Sequence, residues 1–338
     1  MSISFAEPSF SVIMMTGSFC CGRYYHGKAG SDMKKILVIG SVNMDLVIRT
    51  ERLPQKGETI RGNGFSTIPG GKGANQAIAA ARLGCQVDMI AAVGNDIYGR
   101  QLLENLQKNH VGTNGVSMVD TNSGIAVITV CDGDNSIILD KGANGTVSFE
   151  MIESSRRLLE EADIVVMQFE IPLDTVVRTA RLAREMGKFV ILNPAPAVDF
   201  PPELYACADI MIPNETEAEQ ILGMKLEDME DAKAAVLRLY QLGVKHPVIT
   251  LGVQGCVYVE DGIARHLPAC VVKAVDSTGA GDSFIGGICK GFSDGKTLTE
   301  SLIYARAVSA ITVGRFGATP AFPYHEEVIR FIEDYRTK

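Results

Sequence analysis

The sequence predicts an α/β protein with a mostly parallel sheet, helices on both faces of that sheet, and a small second β-sheet. Short runs such as Lys35–Ile39 (K-I-L-V-I) are too uniformly apolar for a half-exposed strand and are typical of strands buried on both faces. Segments of helical period separate these runs, as at Gly73–Leu83, which Gly84 ends. Two regions punctuated by Gly interrupt this rhythm and predict the second sheet.

Strands and helices alternate along the chain from Met33 onward, which indicates parallel strands joined by helical crossovers within residues 33–338. The predicted strands are Lys35–Ile39, Val87–Val93, Asp163–Met167, Phe189–Leu192, Asp209–Ile212 and Val248–Leu251. The predicted helices are Gly73–Leu83, Gln101–Lys108, Leu173–Met186, Glu215–Leu222, Ala232–Leu242, Leu298–Val313 and Glu326–Tyr335. Another apolar run of helical character begins at Asp282.

The second sheet is predicted from Val47–Ile68 and from Ile125–Leu139, a hairpin whose turn lies around Asp132-Gly133. Both segments have the pattern of antiparallel strands. A small lid, built from segments at about 45–69 and 123–140, accounts for both. The alternative is that these strands extend the edge of the main sheet.

The charge balance argues against two classes of partner. The 338-residue chain has 32 Lys+Arg against 40 Asp+Glu, a formal net charge of −8, and no Lys/Arg block stands out. We therefore expect neither a nucleic-acid nor an anionic-membrane partner, and an anionic substrate would need a local feature to attract it. No apolar run reaches the ~18 residues of a membrane span. No H-E-x-x-H or G-x-S-x-G motif supports a hydrolase.

Cysteine usage and the N-terminus bear on location. None of the eight cysteines forms a C-x-x-C pair or a metal-site spacing, so most are expected to be buried thiols in a reducing cytosol, which predicts a cytoplasmic protein. Residues 1–32 lack periodicity, and we expect a disordered extension or a start codon assigned too early, with the fold opening near Met33. A signal peptide is the alternative, but no basic n-region precedes the broken apolar piece.

The segment Val275–Gly287 (V-D-S-T-G-A-G-D-S-F-I-G-G) carries the main chemical hypothesis. The first amides of a helix lack intrahelical partners and carry partial positive charge. Three small residues, Gly279, Ala280 and Gly281, would let a phosphate approach those amides, and we call this stretch of backbone the cradle. Asp282 beside it would be ionised and could take a proton from a hydroxyl that attacks phosphorus. The alternative is an Asp that only caps a helix.

The motif at Ile68–Gln76 (I-P-G-G-K-G-A-N-Q) also leaves bare backbone before a helix, but it lacks the Walker pattern of a P-loop. Lys72 and Asn75 add donors suited to a polyol. The alternative is a tight strand-to-helix turn with Lys72 in solvent. Its glycines are Gly70, Gly71 and Gly73.

The motif at Gly40–Asp45 (G-S-V-N-M-D) follows the first strand, and ligands of open parallel sheets bind just outside such strand ends. Asn43 and Asp45 offer an amide and a carboxylate, which match adjacent sugar hydroxyls. A dinucleotide-binding fold is the rival interpretation, and the missing G-x-G-x-x-G argues against it.

Two segments later in the chain are suited to a nucleotide. In Asn214–Glu219 (N-E-T-E-A-E), Asn214 and Glu217 could organise Mg²⁺ through water, or the carboxylates could simply favour the helix dipole. In Ile249–Gly255 (I-T-L-G-V-Q-G), glycines after a strand leave room for a nucleotide, although a plain turn explains them equally well.

Together these motifs resemble the ribokinase family of carbohydrate kinases, the PfkB family, from about Met33 to the C-terminus. G-G-K-G-A-N-Q near the front and D-S-T-G-A-G-D near the back are similar to the two signature regions of that family, and finding both in this order is more specific than either one. Within the family, the segments G-S-V-N-M-D, N-P-A-P-A at Asn193–Ala197 and P-N-E-T-E-A-E are similar to the members that act on ribose.

The resemblance implies a Rossmann-like α/β domain with a small β lid, and ATP-dependent phosphorylation of D-ribose at its 5-hydroxyl. It implies that Asp282 is the catalytic base, that the cradle is the anion hole and that Glu217 is linked to Mg²⁺. The residues on sugar-binding positions are Asn43, Asp45, Gly71, Lys72, Gly73, Asn75 and Glu170. The residues on nucleotide-binding positions are Asn214, Thr250, Gly252, Gly255 and Gly281, with Arg306 near the adenine at a place where relatives vary.

The same resemblance implies a monovalent cation, K⁺, and a homodimer formed through the lid. Asp276 and Thr278 match one half of the family's cation site. Backbone carbonyls supply most of the other half, and relatives often carry a hydroxyl residue where this chain has Ala321. The residues of that second half are Thr312, Arg315, Gly317 and Ala321.

Two rival functions are open at this point. The substrate could be a related sugar or nucleoside, such as deoxyribose, fructose or adenosine, with the same chemistry. The chain could instead be a catalytically silent sugar-binding protein on the same fold, although the intact Asp282 and the intact cradle argue against it.

Overall fold

The computed structural model describes residues 33–131 and 134–336; the predicted N-terminal extension at 1–32 and the predicted turn residues Asp132 and Gly133 lie outside this part of the chain. Its strands are β1 Ile36–Ile39, β2 Asn43–Arg49, β3 Asn63–Gly70, β4 Val87–Gly94, β5 Gly112–Val119, β6 Gly124–Cys131, β7 Asp134–Asp140, β8 Ile164–Gln168, β9 Phe189–Asn193, β10 Ile210–Met211, β11 His246–Thr250, β12 Cys256–Glu260 and β13 Ile263–Leu267.

The helices follow the strands in the alternation that the sequence predicts. They are α1 Lys72–Arg82, α2 Ile97–Lys108, α3 Phe149–Ser154, α4 Arg156–Glu161, α5 Leu173–Glu185, α6 Glu203–Cys207, α7 Glu215–Leu222, α8 Met229–Gln241, α9 Ala280–Ser293, α10 Leu298–Val313 and α11 His325–Arg336. Short 3-10 turns occur at Gly142–Thr146, Gly252–Gln254 and Thr319–Ala321.

The main sheet has nine strands in the order β13-β12-β11-β10-β9-β8-β1-β4-β5, and the predicted mostly parallel arrangement is confirmed. All neighbours from β11 to β5 are parallel, whereas β12 and β13 pair antiparallel at one edge. The carboxyl ends of the parallel strands therefore lie along one edge of the sheet, where ligands of such folds bind.

Helices cover the sheet on both faces because successive strand residues point to opposite sides. Ile36 and Val38 of β1 pack in one hydrophobic core with residues of α1, α9 and α10. Leu37 and Ile39 pack in a second core with residues of α5 and α8. All four side chains are at most 1% exposed, which explains the uniformly apolar run that predicted this strand.

Helix α9 lies very close to its neighbours at its glycines. A Cβ at Gly286 would come within 2.6 Å of Ala79 Cβ in α1, and a Cβ at Gly287 within 2.6 Å of Ala305 Cα in α10. These distances are too short for any side chain, so the helix backbones pack against one another directly.

The second sheet is separate from the main one, with the order β3-β2-β6-β7, so the interpretation as an edge extension is wrong. The expectation of antiparallel strands is correct for β2–β3 and β6–β7 but wrong for β2–β6, which pair in parallel. Parallel neighbours need a long connection, and β3, α1, β4, α2 and β5 lie between these two strands. Asn43 and Asp45 lie on β2, beyond the strand end to which the sequence pattern assigned them.

Other differences from prediction have local causes. Helix α2 begins at Ile97 rather than Gln101, because the Asp96 side chain accepts a hydrogen bond from Gly99 N at 2.7 Å and caps an earlier start. Strands β5, β12 and β13 were not predicted. Mixed burial obscures the strand pattern in β5 and β13, whereas β12 is buried at four of its five residues and was missed despite that. The expected buried thiols are confirmed for Cys85, Cys207, Cys256, Cys270 and Cys289.

None of the helices within 33–131 and 134–336 combines the length and the apolar character that crossing a bilayer requires.

Candidate active site

The cradle lies at the start of α9 and is open to solvent. Gly279 has φ 74°, a left-handed conformation, and a Cβ there would come within 2.9 Å of Ala318 Cβ and Phe322 Cε1. No described side chain caps this helix. Gly281 is exposed, and a Cβ there would meet nothing within 4 Å. Ala280 N donates to Ser277 O at 3.1 Å, whereas the amide of Gly281 has no partner among the described contacts and lies at an exposed position, as an anion-binding helix start requires.

Asp282 stands in the first turn of α9 and is only 9% exposed. Both of its carboxylate oxygens accept hydrogen bonds from α1: Oδ2 from Asn75 Nδ2 and Oδ1 from Gln76 Nε2, each at 3.0 Å. Burial raises the pKa of Asp282, while the nearby Lys72 ammonium and these two amides oppose that rise. The group is thus a buried carboxylate held by neutral donors, an environment typical of a general base.

Three further carboxylates and one lysine surround Asp282. Burial, together with the charges of Glu170 and Asp282, raises the pKa of Asp45 to about 7. Burial also raises the pKa of Glu217. The pKa of Lys72 is raised, because attraction to Asp282, Glu170 and Glu217 together outweighs the effect of its own burial. An excess of negative charge therefore faces this edge, and a bound cation would relieve it.

The loop between β1 and β2 joins the two sheets beside α1. Ser41 Oγ donates to Glu170, which also accepts from Lys72 N at 3.1 Å. Asn43 Oδ1 accepts from Asn144 Nδ2 at 2.7 Å. A Cβ at Gly73 would come within 2.6 Å of Ser41 N, so the start of α1 lies directly on this loop. Of the predicted sugar-binding residues, Lys72 and Glu170 thus share one group of contacts with Ser41, whereas Asn43 is held by Asn144 and Asn75 bonds to Asp282.

Gly71 has a similar steric constraint: it has φ 93°, and a Cβ there would lie 2.7 Å from Asn43 N.

The start of α7 differs from the cradle because its own side chains satisfy it. Asn214 Oδ1 accepts from Glu217 N, and Glu217 Oε2 accepts from Asn214 N, both at 2.8 Å, which forms a capping box. Asn214 also forms an isolated parallel bridge with Thr250. The helix-start alternative accounts for these contacts, while the charge of Asp282 still influences the pKa of Glu217.

The turn after β11 has steric reasons for its glycines. Gly252 has φ 51°, and Gly255 has φ 97° with a Cβ position only 2.1 Å from Leu267 O. A plain turn therefore explains the glycine at position 255 without any bound nucleotide. Arg306 Nη1 donates to Pro268 O at 3.2 Å, which ties α10 to the segment after β13.

The residues of the predicted monovalent-cation site are brought together only in part. Asp276 accepts from Thr278 N at 2.9 Å, from Thr278 Oγ1 at 2.7 Å and from Gly317 N at 2.9 Å. These bonds outweigh the effect of burial and lower the pKa of Asp276. On the other side, Ala321 O accepts from Arg315 Nη1 at 3.5 Å, and Thr312 O accepts from Arg315 N at 3.0 Å.

Several buried polar residues beside the site were not predicted. Gln76 is the last residue of the G-G-K-G-A-N-Q motif and donates a hydrogen bond to Asp282. Gln168 and Asn193 are the last residues of β8 and β9 and contact Gln76. A polar residue that ends an otherwise apolar strand was the available signal for these two. Asn144 lies 101 residues from Asn43, and no local pattern connects them.

Chemically, the arrangement places a buried carboxylate beside open helix-start amides. A carboxylate at that position can take a proton from an alcohol, while the amides can bind the negative oxygens of a phosphoryl group.

The sequence matches the family described as pfkB family carbohydrate kinase over residues 33–324. It is 40% identical over 308 residues to the ribokinase of Schizosaccharomyces pombe, covering 88% of this chain and 97% of that protein. It is 35% identical over 300 residues to the deoxyribokinase of Salmonella typhi, covering 88% and 98%.

Among solved structures, the chain is similar to Arabidopsis thaliana ribokinase complexed with ribose and ATP. The TM-score is 0.84 at 33% identity, and the match covers 89% of this chain and 99% of that one.

Proposed function

The chain belongs to the pfkB family of carbohydrate kinases, and on this basis we propose that it transfers the γ-phosphoryl group of ATP to the 5-hydroxyl of D-ribose. The similar Arabidopsis protein is complexed with ribose and ATP, which supports both substrates. The products are D-ribose 5-phosphate and ADP.

One observation carries the proposal: the buried Asp282 carboxylate lies directly after the exposed Gly281, whose amide has no partner among the described contacts, at a helix start that no described side chain caps. Proton removal and charge stabilisation are the two things that an enzyme contributes to phosphoryl transfer beyond positioning. Here the two groups belong to the same turn of one helix, so their separation is set by helix geometry.

In the proposed reaction, Asp282 accepts the proton of the sugar hydroxyl as its oxygen forms a bond to the γ-phosphorus. The bond from that phosphorus to the bridging oxygen of ADP breaks, and ADP leaves with the electron pair. Amides of Gly279, Ala280 and Gly281 stabilise the negative charge on the transferring group. Burial of Asp282 supports this role, since the raised pKa makes it a better proton acceptor.

The sugar would be held by side chains of β2, by those at the start of α1 and by Glu170. Asn43 and Asp45 lie on β2, and Asn75 already donates to Asp282. Backbone at Gly71 and Gly73 lies so close to β2 and to the loop before it that a side chain at either position would clash. Ionised Asp45 would accept hydrogen bonds from two sugar hydroxyls.

The nucleotide would lie between the cradle and the turn after β11, with Asn214, Thr250, Gly252, Gly255 and Arg306 along it. Lys72 faces three carboxylates, those of Asp282, Glu170 and Glu217. Among the described residues no three acidic, His or Cys side chains are grouped so that they could hold a metal directly, so the excess negative charge fits a divalent cation that keeps most of its water. Glu217 would hold Mg²⁺ through water, which suits a cation that binds few protein ligands and several phosphate oxygens. Bound Mg²⁺ would neutralise charge on the phosphates.

The donor set for K⁺ fits in part. Asp276 offers a carboxylate of lowered pKa, and Thr278 and Gly317 lie against it. Ala321 offers no side-chain oxygen, and its carbonyl oxygen already contacts Arg315. We therefore propose K⁺ binding by Asp276 and backbone carbonyls of this loop, as an activating rather than a reacting group.

The small sheet is proposed as a lid over the sugar and as the homodimer surface. Its β2 carries Asn43 and Asp45, so movement of the sheet would move the sugar contacts. Exposed apolar side chains on its strands support association: Phe65 is 63% exposed and Ile138 is 74% exposed.

A coupled assay of ADP release tests the function. Ribose, deoxyribose, fructose and adenosine are compared at fixed ATP and Mg²⁺, with and without K⁺, and ³¹P NMR identifies the phosphorylated carbon. We expect the highest kcat/KM for ribose and a 5-phosphate product. Binding of ribose by calorimetry without ADP release would instead support the silent sugar-binding protein.

Deoxyribose is the second candidate substrate, because a deoxyribokinase is 35% identical to this chain. The two sugars differ by one hydroxyl. A buried carboxylate such as Asp45 that is left without a hydroxyl partner weakens binding. If Asp45 contacts the hydroxyl that deoxyribose lacks, the enzyme should therefore discriminate against deoxyribose. Equal kcat/KM for both sugars would remove this argument.

A further inference from the structure

A chain of buried amides leads from the main sheet to Asp282. Gln76 Nε2 donates to Asp282 Oδ1 at 3.0 Å and to Asn193 Oδ1 at 3.1 Å. Gln168 Nε2 donates to Gln76 Oε1 at 2.6 Å. Asn193 Nδ2 donates to Ile212 O at 2.8 Å. Gln76 is 1% exposed and Gln168 is 0% exposed, so water has little access to the chain.

The donor and acceptor of every hydrogen bond in this row of amides follow from the contact with the Ile212 carbonyl. A backbone carbonyl can only accept, so Ile212 O requires the NH₂ group of Asn193 and turns Asn193 Oδ1 toward Gln76. Gln76 must then present its NH₂ group, whose two hydrogens serve Asn193 and Asp282. Gln76 Oε1 is left to face Gln168, whose NH₂ group it accepts.

Gln168 holds that orientation at a cost. Its own Oε1 has no hydrogen-bond partner among the described residues, and a Cβ at Gly40 would lie 2.0 Å from it. A buried acceptor without a partner is unfavourable, and the reverse orientation would bring two oxygens together at Gln76.

We infer that Gln76, oriented by Gln168 and Asn193, is a positioning residue that holds the Asp282 carboxylate in one orientation and offers it only hydrogen-bond donors. This inference rests on the proposed function for its kinetic consequences. Protonated Asp282 would find no acceptor on the side of Gln76, since that amide presents only N–H groups. The proton taken from the sugar must therefore leave on the ligand side.

The charged groups that face Asp282 are Lys72 of α1, Glu170 after β8, Asp45 of β2 and Glu217 of α7. Lys72 favours the ionised carboxylate and the other three disfavour it. Gln76 is the one neutral donor to Oδ1 among the described contacts, so its removal should act on Asp282 without changing any formal charge.

The experiment compares wild type with Gln76→Met and Gln76→Leu, which both remove the amide without changing any formal charge. The profile of kcat against pH is measured at saturating ribose, because kcat reports groups of the bound complex rather than the binding of sugar by Asp45. We expect Gln76→Met to lose about tenfold in kcat, the scale of residues that orient a reacting group. Its acid limb should move up by about one pH unit, because the ionised form loses a donor.

Two further variants isolate the orientation effect. Gln168 makes no described contact with Asp282, so Gln168→Met should move the acid limb in the same direction by a smaller amount, by freeing Gln76 to rotate. Thr179→Val is the matched control, since Thr179 Oγ1 is also buried and unpartnered among described residues but lies on α5 in the second core. It should leave both kcat and the acid limb unchanged.

A readout without turnover separates this inference from the proposed function. The carboxyl ¹³C signal of Asp282, assigned by its absence in Asp282→Asn, is titrated in wild type and in each Gln76 variant. A higher midpoint in the variants supports the inference even if no sugar is phosphorylated. Wild-type midpoints and wild-type acid limbs in the folded Gln76 variants would overturn it; if neither Gln76 variant folds, Gln168→Met decides by the same two measurements.

Discussion

The starts of α9 and α7 face the same edge of the main sheet, and they differ in what satisfies their first amides. At α9, Gly279 is the cap residue, no described side chain caps the helix and Gly281 is exposed. At α7, Asn214 and Glu217 close a reciprocal capping box at 2.8 Å. Both segments were predicted to serve the nucleotide. At the start of α9, Ala280 N donates to Ser277 O, but the exposed Gly281 amide has no partner among the described contacts and is available to a ligand.

The difference teaches that small residues and polar residues at a helix start have different consequences. Side-chain caps stabilise a helix by taking the place that an anion would occupy. A helix start without a cap is less stable by itself and is available to a ligand. The motif N-E-T-E-A-E therefore predicts a helix start more strongly than a phosphate site. The motif G-A-G predicts a phosphate site more strongly than a stable helix start.

The largest effect should come from the acid of the open helix start. Asp282→Asn should fold normally, because it removes a buried charge without changing size, and should lose at least ~10²-fold in kcat, the scale of a positioned base. The ADP-release assay measures the rate, and a thermal melt controls for folding. Near-normal turnover in a folded variant would remove the assignment of Asp282 as base.

The next effect separates two glycines of the cradle. Gly281→Ala has space in the fold and suits a helix, so thermal stability should be retained, while the methyl group projects over the open amides and lowers kcat/KM for ATP by at least ~10-fold. Gly279→Ala should instead lower stability, because φ is 74° and Ala318 and Phe322 lie within 3.0 Å of the new atom. If both variants lost the same activity and both kept wild-type stability, the two glycines would not differ in the way proposed.

The third prediction concerns how ribose affinity depends on pH through Asp45, whose pKa is raised in part by the charge of Asp282 at the open helix start. The pKa of Asp45 is about 7, so its ionised form predominates above pH 7 and is lost as pH falls below that value. In the proposed binding mode the ionised form accepts hydrogen bonds from sugar hydroxyls, so ribose affinity measured by calorimetry should fall by about tenfold per pH unit below the midpoint. Asp45→Asn should abolish this dependence.

The charge of Asp282 is one cause of the raised pKa, so Asp282→Asn should shift the midpoint of ribose binding to lower pH. An unchanged midpoint would mean that the two carboxylates do not interact.

The smallest effect tests the closed helix start. Asn214→Ala removes the cap and should cost about 1 kcal/mol of unfolding free energy, measured in urea. Asn214→Asp caps as well as Asn and should retain stability. If nucleotide phosphates lie nearby, Asn214→Asp should raise the KM for ATP several-fold by repulsion. An unchanged KM in both variants would leave Asn214 with the capping role alone.

The sequence could predict the main sheet because burial on both faces makes a strand uniformly apolar, as at Ile36–Ile39. It could not predict the parallel pairing of β2 with β6, since register between strands remote in the chain leaves no local pattern. Strand β13 was missed for a different reason: most of its residues are exposed at a sheet edge.

The site was predictable where one short segment holds several functional residues. Asp282 and the cradle share one turn, and Lys72 and Asn75 share another. Contacts between segments were not predictable, and the amide chain through Gln168 and Asn193 depends on three neighbouring strand ends. The sequence also could not predict whether a helix start is open or capped, because this depends on which side chain turns back toward the backbone.

The direct backbone packing of α9 determines which parts of the molecule are free to rearrange during a turnover. With Gly286 against Ala79 and Gly287 against Ala305, a sliding or rotating α9 would collide with α1 and α10 at once. The proposed base and the proposed phosphate-binding amides are therefore expected to stay fixed during a turnover. Any closure around the sugar must be produced by displacement of the four-stranded sheet, so mutations that tune substrate exchange are best sought there.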